Sequence, residues 1–194
     1  MVTQFALARP LVAFQASHPG LQLRLRQGGA EEIARWVLAG DVELGIVAER
    51  ESCPELAVEP LMRLPNVAVV RAGSRLARLP RLPWRVLLQQ PLVMFPQNYH
   101  QRWLIDHQAA KRGVAPRIAL ESENLGVIFE AVRAGLGVST MPALAVQRQR
   151  QLATVRLETD DVLTVAACTR QGFPHSRATQ ELLQHLRGSL TLRH

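Results

Sequence analysis

Glu130-Ala131-Val132-Arg133-Ala134-Gly135-Leu136-Gly137-Val138-Ser139-Thr140-Met141-Pro142 is the stretch on which the fold reading turns. Its first part continues a helical pattern that begins near residue 125, and residues 138–141 read as a short strand. Two glycines one residue apart, directly after a helix, permit a left-handed helix end and a tight entry into that strand. Pro142 has its φ preset for the first position of another helix. The order helix, glycines, strand is the reverse of a Rossmann phosphate turn, so Gly135-Leu136-Gly137 is not a dinucleotide fingerprint.

Working back from this stretch, residues 117–121 predict a strand, 99–112 a helix closed by Gly113, 92–95 a strand and 84–89 a short helix. The stretch 71–83 carries Arg71, Arg75, Arg78 and Arg81 with Pro80 and Pro83 and has little apolar surface, so it reads as a lobe boundary or a long surface loop. Short strands are expected at 56–59 and 67–70, separated by Pro65. Nearer the start, Leu7, Leu11 and Phe14 give residues 4–17 one apolar helical face. Leu21, Leu23 and Leu25 alternate with Gln22, Arg24 and Arg26 as a half-buried strand does. A helix with Glu31 and Glu32 at its start and Gly40 at its end leads to a strand at 42–47, completing a strand-helix-strand crossover. Beyond the motif, strands at 154–157 and 163–168 precede a last helix at 176–186.

Composition narrows the class. With 47% hydrophobic residues the chain has a real core, and neither a membrane-length apolar run nor a secretory signal is visible, so the expected location is the cytoplasm without membrane contact. Cys53 and Cys168 are far apart and fit no metal spacing, so a disulfide framework and a metal site are both unexpected. The formal charge of +7 is almost all arginine, Lys111 being the single lysine. It is scattered, and prolines break up the arginines at 71–85, which points to a solvated loop ahead of a DNA-reading surface. Repeated α and β elements divided by one composition break predict an α/β protein of two lobes, residues 1–68 with 168–194 and residues 69–167.

Three patterns together resemble the effector-binding domain of LysR-type transcriptional regulators. Phe14-Gln15-Ala16-Ser17-His18-Pro19-Gly20-Leu21-Gln22-Leu23 is similar to that family's helix end and following strand. Gly28-Gly29 followed by Ile33, Leu38, Gly40, Asp41, Glu43, Leu44 and Ile46 resembles its glycine-helix-strand signature. The 130–142 stretch resembles its V-x-A-G-x-G motif ending in proline. The likeness implies two Rossmann-like lobes of the type 2 periplasmic-binding-protein fold joined by crossover strands. Gly45 departs from the family, which usually has an acidic residue there, and Glu43 is the residue expected to compensate. The family's winged-helix domain, and a strand expected ahead of residue 4, are absent from these residues, so DNA is expected to be contacted only through a domain outside this chain.

The resemblance implies a small-molecule effector, a small organic anion by its helix-terminus chemistry, held between the lobes. Matched position by position, the ligand-binding candidates are Thr3, Gln4, Gly28, Gly29, Pro96, Gln97, Asn98 and Asn124. Free backbone N–H groups with small hydroxyl or amide side chains suit a carboxylate. Each has a plainer role: Thr3 and Asn124, taken alone, are better explained as helix caps, and Gln97 and Asn98 as ordinary loop residues. Tyr99 and His100 could add stacking or a hydrogen bond. No cofactor and no catalytic residue is expected, because the histidines lack zincin spacing, no serine sits in a nucleophile elbow and no phosphate loop is present. A homodimer or tetramer is implied, pairing through the helices at 4–17 and 125–134. The alternative is a solute-binding transport component of the same fold, which an export signal would distinguish, and a third reading is an enzyme on the same scaffold.

Overall fold

A computed structural model describes residues 3–48, 53–159 and 161–190, with side chains from residue 5 onward. The chain forms two units, one from residues up to Arg63 together with those from Leu163, the other from Leu64–Val162. Both boundaries fall a few residues before the 68/69 and 167/168 divisions read from composition.

The first unit is a three-layer sandwich. A π-helical turn, Thr3–Leu7, runs into α1 (Ala8–Ser17), followed by α2 (Ala30–Ala39) and β1 (Gly45–Ala48). β2 (Leu56–Arg71) starts here, and β8 (Val162–Arg170) with α6 (Arg177–Ser189) returns to it. β1 pairs antiparallel with β8, Gly45 opposite Cys168 and Ile46 opposite Ala167, and β8 is bonded to β2 on its other side. Successive strand residues face opposite ways, so Ala167 and Cys168 serve different cores. Ala167 joins Leu7, Leu11, Leu61, Leu183 and Leu186 beneath α1 and α6, while Cys168 joins Val37 and Leu56 under α2. Full burial of each leucine or valine here stabilises by about 1.5–3 kcal/mol.

In the second unit the remainder of β2 lies between β6 (Ser139–Pro142) and β7 (Leu152–Leu157), both antiparallel to it. β3 (Arg81–Leu82) adds to β7 in parallel. β4 (Leu92–Met94) pairs in parallel with β5 (Ile118–Glu121), and it meets the start of β6 through a parallel bridge from Leu92 to Val138. Ala68, Val70, Leu92 and Met94 form one face, packed against α3 (Trp84–Leu88) and α4 (His100–Ala110) through Trp84, Leu87, Leu104 and Ile105. α5 (Leu125–Arg133) packs against β4, β5 and β7 and takes no part in that core.

Several sequence expectations are corrected. Residues 21–25 are not a strand, because alternation specifies a face but supplies no ladder partner. Gln15 of α1 takes that role: its Nε2 donates to the Leu21 carbonyl at 2.6 Å and its Oε1 accepts from the Leu23 amide at 3.3 Å. The crossover ending at residue 47 is therefore not formed, and β1 pairs antiparallel instead. The expected strands at 56–59 and 67–70 are one continuous strand that tolerates Pro60 and Pro65, which cost only ladder donors. The 71–83 stretch is neither lobe boundary nor open loop: it holds a 3-10 turn (Leu76–Arg78) and β3, an edge strand inside the second unit. Pro142 ends β6 and is followed only by a 3-10 turn, Ala143–Ala145, instead of opening an α-helix.

Candidate functional site

The parallel pairing of β4 with β5 brings two stretches of candidate residues to one edge of the second unit. The Ser122 amide donates to the Met94 carbonyl at 3.0 Å, so the chain leaves both strands at the same end. From β4 it passes through Phe95 and Pro96-Gln97-Asn98 into α4, and from β5 through Ser122-Glu123-Asn124 into α5. Carboxyl ends of adjacent parallel strands, each followed by a helix N-terminus, are where α/β folds bind ligands.

The two helix starts differ. At α4 the Pro96 carbonyl accepts the Tyr99 amide at 3.0 Å, closing a turn that leaves Gln97 and Asn98 exposed. Tyr99 stacks on the buried Phe95 with ring centres 5.1 Å apart, and no side chain caps the helix. At α5 the Asn124 Oδ1 accepts from the Gly126 and Val127 amides at 2.9 and 3.3 Å. The capping role is thus filled, and its Nδ2 is the atom left to donate to a ligand. Neither helix has an acidic residue in its first turn, so both ends favour an anion.

In the first unit Thr3 and Gln4 belong to the opening helical turn, and their side chains lie outside the described residues. Gly28 and Gly29 precede α2, whose first turn holds Glu31 and Glu32. The Gly29 amide donates to Glu32 Oε2 at 3.3 Å, and a Cβ on Gly28 would lie 2.8 Å from the same oxygen and from the Trp36 ring. This terminus already holds a carboxylate of its own. Arg26 lies 4.0 Å over the Trp36 ring beside it.

Glu43, singled out for the missing acid at Gly45, accepts hydrogen bonds from Ser176 Oγ, at 2.6 Å, and from Thr179 Oγ1. These bonds, Ser176 foremost, hold its carboxyl below the ordinary carboxylate range. Gly45 itself has a packing reason: a Cβ there would lie 2.5 Å from Cys168 Sγ and 2.6 Å from Ile33 Cγ2. No group of three His, Cys, Asp or Glu among the described residues is arranged to hold a metal ion.

The family model described as the LysR substrate binding domain matches residues 1–191. The chain belongs to that family. Relatives of the LysR domain include the HTH-type transcriptional regulator SsuR of Burkholderia cenocepacia, 28% identical over 88% of this chain and 55% of the relative. CysB of the same organism is 30% identical over 76% of this chain and 47% of its own length. The chain spans about half the length of the curated relatives it matches. Among solved structures, the regulatory domain of Synechocystis CcmR in complex with 2-PG superposes with a TM-score of 0.89 at 20% identity, covering 98% of this chain and 93% of that one. The cofactor-binding domain of the Cbl regulator gives 0.86 at 24%, covering 98% and 85%. The fold is accordingly the α/β, type 2 periplasmic-binding-protein fold of LysR effector domains. This family is a class of regulators, not of enzymes, and no helix among the described residues is long and apolar enough to cross a membrane.

The motif that carried the LysR resemblance has a structural basis here. Gly135 has φ +79° at the end of α5, and a Cβ on Gly137 would lie 2.4 Å from the Pro91 carbonyl oxygen. The Val138 amide donates to that oxygen at 2.9 Å, which seats β6 beside β4. Sequence reasoning missed buried polar residues near the same strands, among them Asn66, Gln101 and Thr140. Their signal was weak, each being one polar residue in an apolar setting.

Proposed function

We propose that this chain is the effector-sensing part of a LysR-type transcriptional regulator, its two units being the family's two lobes. The effector is a small organic anion, bound in the second unit by the Pro96-Gln97-Asn98 loop and Asn124. The observation that carries this is the convergence of two helix N-termini, neither with an acidic residue in its first turn, on the adjoining carboxyl ends of β4 and β5.

A ligand with unequal affinity for two conformations shifts their populations by that difference, and the shift is passed to DNA through the rest of the regulator. Transmission runs through a homodimer or tetramer in the cytoplasm, with α1 and α5 as pairing helices. Val12 on α1 and Val127 on α5 are exposed apolar residues suited to such pairing. Light scattering that finds only monomer at high concentration overturns the pairing.

Binding is tested by a thermal-shift screen of aliphatic and aromatic carboxylates, amino acids and inorganic anions, followed by calorimetry on the hit. Asn124→Ala is expected to weaken the hit about tenfold, the equivalent of one charge-assisted hydrogen bond. Affinity is the readout because losing this cap also lowers stability, by about 1 kcal/mol. Unchanged affinity in Asn124→Ala overturns the site.

A further inference from the structure

Asn66 Nδ2, Gln101 Oε1 and Thr140 Oγ1 are buried with no hydrogen-bond partner among the described residues. The residues themselves are 5%, 1% and 0% exposed. Buried polar groups are nearly always paired, so three orphans in one place call for a cause.

They are in one place by register. Ala68 lies opposite Thr140 and Asn66 opposite Pro142 across the β2–β6 pair. Opposed residues, and residues two apart on a strand, share a face, so Asn66, Ala68 and Thr140 face the same way. Gln101, in the first turn of α4, covers that face and donates its Nε2 to Asn66 Oδ1 at 3.0 Å. It follows the exposed Gln97-Asn98 pair of the proposed effector loop within a few residues.

The unpaired inventory is specific. Asn66 offers an amide donor, Gln101 a carbonyl acceptor, and Thr140 a hydroxyl able to act either way. Exchanging oxygen and nitrogen in both amides leaves one donor and one acceptor again, so the result does not depend on amide orientation. A carboxylate only accepts and would set an oxygen against an oxygen, while an apolar group would satisfy nothing. A hydroxyl oxygen accepts from the amide, donates to the carbonyl and takes the Thr140 O–H, satisfying all three.

We propose that Asn66, Gln101 and Thr140 form a hydroxyl-recognition subsite, making the effector a hydroxylated organic acid. This rests on the anion reading above and specifies it further. A site built to hydrogen-bond a hydroxyl strongly rejects the analogue without one, because its polar atoms then stay buried and unpaired. An internal water carries the same chemistry, and the experiment separates the two sources.

Thr140→Val keeps the shape and removes the hydroxyl, and Thr140→Ser keeps the hydroxyl. Without ligand, Thr140→Val is expected to melt at or above the wild-type temperature, since it deletes an unpaired polar atom. A lower Tm, or failure to fold, with Thr140→Ser unchanged means that a resident water already satisfies the hydroxyl, and overturns the proposal. With ligand, the pairs lactate and propionate, glycolate and acetate, and salicylate and benzoate are titrated. At least one hydroxylated member should bind wild type about tenfold or more tightly than its partner, a preference kept in Thr140→Ser and lost in Thr140→Val. Equal binding within every pair, or a preference that survives Thr140→Val, overturns it. If no acid binds at all, the anion reading fails, and the unliganded Tm values still decide the subsite.

Discussion

The indole N–H of Trp84 is shared between Thr159 Oγ1, at 2.8 Å, and Asp161 Oδ2, at 3.1 Å. Trp84 is fully buried, and the other oxygen of Asp161 accepts from Gln108 Nε2 at 3.0 Å. One carboxylate therefore anchors α3 and α4 to the segment after β7. Arg112, one turn beyond Gln108, extends the anchor to Glu158 at 2.8 Å.

Asp161→Ala should destabilise the chain by about 1–3 kcal/mol, because it strips an acceptor from three side-chain donors, Trp84 Nε1, Gln108 Nε2 and Thr159 Oγ1. Trp84→Phe deletes the donor together with its need and should cost less. Urea unfolding of both single variants and the double variant checks this: the double should cost less than the two singles combined. Additive costs would mean that the contact contributes nothing.

At the glycines of the LysR motif the cause of intolerance differs. Gly137→Ala drives a methyl group into the Pro91 backbone and should cost about 1–3 kcal/mol or more, with displacement of β6 from β4. Gly135→Ala meets only an ordinary contact, 3.7 Å from Arg71 Nη1, and pays for positive φ, about 1–2 kcal/mol. Hydrogen exchange at the Val138 amide should rise sharply in the first variant and little in the second.

Glu43 gives the first unit an acid-sensitive contact. Its folded-state pKa lies below the unfolded value, so the contribution is complete above the ordinary carboxylate range and is lost as pH falls through the lower folded value. Ser176→Ala should raise the Glu43 pKa measured by carboxyl NMR titration and shift the loss to higher pH. An unmoved titration would show that the Ser176 bond does not hold the charge.

The two thiols should differ widely in reactivity. Burial pushes Cys168 up to about 11, while Cys53 is partly exposed. Thiolate is the attacking form, so iodoacetamide at neutral pH should label the native chain at Cys53 alone and reach Cys168 only on unfolding. Mass analysis of the labelled peptides reads the order directly.

Helices were legible because each announces itself within its own residues: Leu7, Leu11 and Phe14, or Asn124 ahead of an apolar run. Strands were legible only where local pattern agreed with long-range pairing. Leu21, Leu23 and Leu25 have the alternation but no partner strand, whereas Pro60 and Pro65 sit inside a strand because only its ladder donors suffer. For the candidate site, the turn at Pro96-Gln97-Asn98 and the cap at Asn124 could be read from residue type. The meeting of Asn66, Gln101 and Thr140 could not, since it depends on the register of β2 against β6 and on which way α4 faces.

The division of the chain also dictates an order of assembly. Residues 64–162 are contiguous, and their ends meet where the Asn66 amide donates to the Asp161 carbonyl at 2.8 Å. The other unit borrows Ala167, Leu183 and Leu186 from the tail. On the ribosome, the middle of the polypeptide can finish folding while the amino-terminal helix still displays Leu7, Leu11 and Phe14 to the surroundings. Nascent chains should thus need shielding until α6 emerges, and premature termination after residue 162 should yield a well-formed core preceded by a sticky segment that holds α1.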